Sequence, residues 1–160
     1  MEKGTYALVI ALESEATIAI GKLGRFAFPS GYYMYMGSAR GGLPQRVRRH
    51  LRGIGNTKRL RWHIDYLLQF ARVVEVWYAL EGEWERWGER EESQECLWCH
   101  VSGGMPNGRI LVSGFGSSDC RCPAHLIYFP SLPSFEIFRK GLGEKGSQLK
   151  RTKPEAFLNP

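Results

Sequence analysis

Apolar positions along this chain switch between two rhythms. Tyr6 to Leu12 is apolar and β-prone and reads as a strand. Thr17 to Ile20 and Arg25 to Phe28 alternate around Gly21 and Gly24, the pattern of a hairpin. Pro29-Ser30-Gly31 then turns the chain into a strand from Tyr32 to Met36. From Leu43 the rhythm becomes helical. Leu43, Val47, Leu51 and Ile54 form one stripe, Pro44 sits in the first turn where its missing N–H costs nothing, and Gly53 and Gly55 follow as a stop. A second helix is predicted from Trp62 to Phe70, burying Ile64, Leu67 and Leu68. A strand from Val73 to Leu80 ends at Glu81-Gly82, a third helix runs from Glu89 to His100, and Ile110 to Val112 and His125 to Phe129 read as short strands. Beyond Phe129 the prolines, serines, glycines and lysines look like a linker and a weakly packed basic tail, so residues 1–129 form the expected domain and 130–160 the expected tail.

Composition narrows the class. With 160 residues and 43% hydrophobic content, one domain with one core is expected. No stretch reaches the ~20 apolar residues of a membrane span, and the start Met-Glu-Lys-Gly lacks the layout of a signal peptide. A cytoplasmic location follows as an expectation, with the four cysteines as thiols or metal ligands rather than disulfides.

Charge is unevenly spread behind the net +6. Ala16 to Ile64 contains ten Lys or Arg and no Asp or Glu, whereas Glu75 to Glu95 contains eight glutamates against Arg86 and Arg90. A long basic stretch beside a glycine turn and a histidine suits a polyanion such as nucleic acid, although a basic surface also serves solubility. Arg48, Arg49 and Arg52 are the candidate phosphate contacts on the first helix. Arg46 and His50, four residues apart, project from one side of that helix.

Several phrases resemble the GIY-YIG nuclease superfamily, most closely its Uri-type branch. They are Gly4-Thr5-Tyr6, Tyr35-Met36-Gly37-Ser38-Ala39, the helix start Leu43-Pro44-Gln45-Arg46, Arg61-Trp62-His63-Ile64-Asp65-Tyr66-Leu67-Leu68, and the run from Gly114 to Pro123 that contains Asp119-Cys120-Arg121-Cys122. The resemblance covers residues 4–129 and implies an α+β fold: a small antiparallel sheet of about three strands flanked by helices, here with an inserted hairpin. It implies hydrolysis of DNA phosphodiesters with Mg2+ or Mn2+, in repair or in processing of foreign DNA. Arg46 would clamp the scissile phosphate, since a guanidinium fork matches phosphate oxygens and stays charged. His50 follows one turn later. Tyr6 and Tyr35 would manage the proton of the attacking water, and Gly37 would let the chain turn close to phosphate. The metal-holding carboxylate of the family falls on the third helix, where Glu95 is the candidate and Glu91 and Glu92 compete. His63 is open between an acid/base and a structural role, and Asp65 between function and complementing the helix N-terminus.

Cys96, Cys120, Cys122 and His125 offer thiolate and imidazole ligands for Zn2+, with His100 nearby in sequence. Core packing of thiols is the competing account. Two other functions stay open: a nucleic-acid-binding module without cleavage, and a zinc-stabilised domain that binds a protein partner.

Overall fold

The computed structural model describes residues 3–52, 60–80, 94–117 and 122–158. In chain order the elements are β1 (Gly4–Leu12), β2 (Ala16–Ile20), β3 (Gly24–Phe28), β4 (Gly31–Ala39), α1 (Leu43–Leu51), α2 (His63–Leu67), β5 (Arg72–Leu80), α3 (Gln94–Gly103), β6 (Leu126–Phe129), α4 (Phe135–Gly141), β7 (Lys150–Thr152) and α5 (Glu155–Leu158). The main sheet is antiparallel with strand order β6-β4-β1-β5-β7, and β2 pairs with β3 as a separate hairpin.

Every residue of the central strand β1 is buried, which explains its unbroken apolar run: both faces of the sheet are covered. Tyr6, Leu8, Ile10 and Leu12 pack with Leu43 and Val47 of α1, Ile64 and Leu67 of α2, and Ile18, Ile20 and Phe28 of the hairpin. Ala7 and Val9 point the other way, into a second core with Met34, Met36, Trp77, Trp98 of α3 and Phe138 of α4. The sheet is thus the middle of three layers, and the face under α1 carries both signature tyrosines.

Four expectations change. The sheet has five strands rather than three: β6, expected as a short strand from His125, joins it on β4, and β7 spans three residues, too few for a period-two pattern to register. The second helix stops at Leu67 rather than Phe70. Ile110 to Val112 is not a strand; the neighbouring Arg109 makes an isolated bridge to Tyr128. The third helix continues to Gly103, and its expected beginning from Glu89 through Ser93 lies outside the described residues, as do Gly53, Ile54 and Gly55.

The expected tail also proves to be structured from Pro130 to Leu158. Ser134 caps α4 by accepting from the Ile137 N–H at 3.2 Å. Phe138 is fully buried against Trp77 and Trp98. β7 extends the sheet on β5, and Arg151 forks onto Glu75 with two 2.9 Å bonds while the Trp77 indole donates to the same carboxylate at 2.8 Å. Phe135, Phe138, Leu142 and Leu149 supply the apolar anchors that the surrounding lysines and glycines concealed.

Candidate active site and metal-binding cluster

Tyr6 and Gly37 are cross-strand partners on β1 and β4. A Cβ on Gly37 would lie 2.5 Å from the Tyr6 hydroxyl oxygen and 2.6 Å from its Cζ, so the tyrosine ring occupies the space that any other residue would fill. The ring passes over β4 and its Oη lies 2.7 Å from Nε2 of His50 on α1. Tyr35, two residues before Gly37 on the same face, sets its ring edge-on to His50 at 5.9 Å. The sequence-predicted Tyr6, Tyr35, Gly37 and His50 therefore meet under α1.

Arg46 joins them from the preceding helical turn. Its Nη1 donates to the backbone carbonyl of Ser38 at 3.2 Å. The Ser38 hydroxyl donates to Glu95 Oε1 at 3.4 Å, a long bond that nevertheless sets Glu95 of α3 beside the end of β4. Ser38 thus stands between a cation and an anion. The site spans the sheet's two covering layers, since α1 and α3 lie on opposite faces.

Burial sets the protonation of the two tyrosines. It raises the Tyr6 pKa well above the ordinary phenol value; the Arg46 charge and hydrogen bonding pull it back only in part, and Glu95 pushes it higher. Tyr35 is raised likewise, first by burial and then by Tyr6 and Glu95. Both are neutral phenols at neutral pH.

Trp62 organises the arginines. The Arg46 Cζ lies 4.7 Å and the Arg49 Cζ 4.0 Å from the Trp62 ring centroid, within cation–π range. Arg49 also forks onto Asp65 through bonds of 2.9 and 3.0 Å. Asp65 accepts the Arg61 and Trp62 N–H groups at 2.8 and 2.9 Å, which seals the start of α2. Burial alone would raise the Asp65 pKa, but the Arg49 fork and the two amides outweigh it and hold the carboxyl at about 2. Arg49, a candidate phosphate contact, is thereby committed to an internal ion pair. Arg48 is half-buried, with its Nε on the Pro44 carbonyl at 3.2 Å, and Arg52 is exposed at the end of α1.

His63 fastens the turn at Gly116 to the start of α2. Its Nδ1 accepts the Gly116 N–H at 2.8 Å, and its ring packs on Phe115 at 5.6 Å. Gly116 has φ of 70°, and a Cβ there would crowd the Tyr35 ring at 3.0 Å and the His125 Cβ at 3.2 Å. The glycine-rich turn therefore presses directly against the tyrosine site.

The Cys96, Cys122 and His125 ligand atoms lie within 4.8 Å of one another, with Cys96 Sγ 3.9 Å from His125 Nε2. Ligand atoms around a tetrahedral ion with bonds of ~2.0–2.3 Å sit ~3.3–3.8 Å apart, so the Cys96–His125 pair is already near that spacing and a contraction of up to ~1 Å closes the set. Cys96 and His125 are buried and Cys122 is half-buried. Burial lowers the His125 pKa, favouring the neutral imidazole that ligates metal. This group can hold a metal ion. Cys120, the fourth expected ligand, lies outside the described residues, as do Asp119 and the competing Glu91 and Glu92; His100 is exposed on α3 and is not part of the group.

A model of the family described as a domain of unknown function, DUF123, matches residues 5–143. The chain belongs to that family. The DUF123 match runs from β1 through α4, so it takes in both tyrosines, Arg46, His50, Glu95 and the metal-binding group. No curated protein and no solved structure matches the chain. Among the described residues of this DUF123 chain, no helix is long and apolar enough to cross a membrane.

Two participants escaped sequence reasoning. Ser38 enters chiefly through its main-chain carbonyl, which residue type does not announce, although it directly follows Gly37 in a singled-out phrase. Trp62 likewise precedes the second helix inside a singled-out phrase, but its role as a platform depends on where α1 lies.

Proposed function

We propose that this DUF123 chain is a metal-dependent endonuclease of the GIY-YIG type, of the Uri-type branch, hydrolysing DNA phosphodiesters in repair or in processing of foreign DNA. The observation that carries the reading is the approach of Arg46 and Glu95 to Ser38, beside the Tyr6–His50 hydrogen bond. A cation, a carboxylate and a proton-carrying pair are what in-line hydrolysis of a phosphodiester asks of a protein.

Glu95 offers a hard carboxylate oxygen, the kind of ligand that would hold Mg2+ or Mn2+. Such an ion, when bound, neutralises charge on the phosphoryl group and favours departure of the leaving oxygen. Arg46 donates to a non-bridging phosphate oxygen as its charge grows. The attacking water loses its proton to the Tyr6 oxygen while the Tyr6 proton passes to His50 Nε2. The raised Tyr6 pKa makes this relay preferable to a standing phenolate. The water oxygen forms the new bond to phosphorus, the ester P–O bond breaks, and the leaving oxygen takes a proton from solvent.

We assign Zn2+ to the Cys96–Cys122–His125 group, because thiolate and imidazole together select zinc over the oxygen-seeking ions. Zinc there is structural and separate from the ion at Glu95.

The test is cleavage of labelled duplex, nicked, branched and single-stranded DNA and RNA, with and without Mg2+ or Mn2+. Wild type should cut at least one substrate only with metal. Arg46→Ala and Glu95→Gln should each cut at least ~100-fold more slowly, the scale for losing one preorganised charge-stabilising group. Salt-sensitive binding of every substrate without a cleaved product would instead support a non-cutting nucleic-acid-binding module.

A further inference from the structure

We propose that the Cys96–Cys122–His125 ion is a positioning device for Glu95. It clips the first turn of α3 to β4 and so fixes the carboxylate that holds the catalytic metal. The inference rests on the reading of Glu95 as that carboxylate.

The argument follows covalent neighbours. Glu95 and Cys96 are adjacent in the first turn of α3, which opens at Gln94. Glu95 accepts a long hydrogen bond, 3.4 Å, from the Ser38 hydroxyl on β4. Cys96 faces His125. His125 in turn is fastened to the strand that carries the site: its carbonyl accepts the Met36 N–H at 3.0 Å, two residues before Ser38, and its own N–H donates to Phe115 at 2.7 Å. An ion bonded to both Cys96 and His125 therefore ties the residue next to Glu95 to the backbone of the strand beside Glu95. Trp98 and Cys99 anchor the helix from the next turn onward. At its first turn, metal–ligand bonds would replace a 3.9 Å contact that is weak for a thiol and an imidazole. Partners that orient a ligand in this way typically set metal affinity by ~10–100-fold.

The test uses the full chain, purified under reducing conditions, and two metals read separately. Zinc content is measured directly, and Co2+ added to zinc-stripped protein is read for thiolate charge transfer and the intense visible bands of tetrahedral coordination. Mn2+ affinity is measured by electron paramagnetic resonance, with no nucleic acid present. The expected result is about one zinc per chain and an Mn2+ site abolished by Glu95→Gln. That site should weaken at least ~10-fold in Cys122→Ser and in zinc-stripped wild type, and zinc should restore it in wild type alone. Absence of both zinc and a tetrahedral cobalt spectrum overturns the proposal. So does Glu95-dependent Mn2+ binding of equal strength with and without zinc, which would leave the nuclease reading standing. Mn2+ binding that ignores Glu95→Gln removes the reading on which the proposal rests, while the zinc content still reports on the clip. Where Cys122→Ser fails to fold, stripping and reloading wild type decides the matter, followed by circular dichroism. A chain that unfolds completely on stripping would make zinc a global structural ion and overturn the local role.

Discussion

Gly37→Ala adds one methyl group, and the structure says where it must go. The new Cβ would sit 2.5 Å from the Tyr6 hydroxyl oxygen and 2.6 Å from Cζ, about 1 Å inside ordinary contact between such atoms. Tyr6 is 1% exposed and sits on the central strand, so the ring has no route to solvent. It must swing aside within the core, at an overpacking cost of ~1–3 kcal/mol. Swinging takes Oη away from His50 Nε2, leaving buried polar groups without each other for ~1–3 kcal/mol more. A total of about 4 kcal/mol corresponds to a Tm drop of ~8–16 °C for a chain of this size. Thermal and urea unfolding followed by circular dichroism would measure it, and metal-dependent cleavage should fall with it because the proton pair is broken. Adding Tyr6→Phe to Gly37→Ala removes the 2.5 Å clash but not the 2.6 Å one, so the double variant should recover only part of the loss. A Gly37→Ala protein that melts with wild type and keeps its activity would show that Tyr6 does not lie over Gly37, and the described site would be wrong.

Acid sensitivity tests the Arg49–Asp65 pair. Asp65 titrates at about 2 when folded against an ordinary 3.8, so its contribution of about 2 kcal/mol is present above pH ~4 and is lost as pH falls toward 2. The urea midpoint of wild type should drop across that window, and Asp65→Asn should be less stable at pH 7 and flatter below pH 4; an unchanged acid limb would refute the assignment. Arg48→Ala with Arg52→Ala should weaken nucleic-acid binding and lower the salt slope by ~0.9 for each phosphate that is no longer neutralised. Arg49→Ala should act mainly on stability, and a purely electrostatic loss there would count against its internal pairing.

Local chemistry made much of this molecule legible from its residues. The stripe of Leu43 and Val47 and the proline at the helix start placed α1 correctly, and with it the shared side of Arg46 and His50. The hairpin of β2 and β3 announced itself by alternation around two glycines. The short edge strand β7 did not, because three residues carry too little pattern and its pairing partner lies far away: β7 meets β5 across more than 70 residues of chain. The packed C-terminal segment was hidden for a related reason. Charge and glycine content argued for disorder, while a few widely spaced aromatic and leucine side chains decided the outcome by burying against Trp77 and Trp98.

The same division runs through the site. A motif can state which residues matter, but not which of them are already spoken for. Arg46, Arg48 and Arg49 look alike on a helical wheel, each a long cation on a basic helix. Only the fold brings Asp65, 16 positions away, onto Arg49, and the Ser38 carbonyl onto Arg46. An arginine held by a buried carboxylate has its charge offset before any phosphate arrives. One held by a main-chain carbonyl keeps its full charge and remains oriented. That difference, and not position in the motif, is the physical reason to assign the phosphate to Arg46 and the scaffold to Arg49.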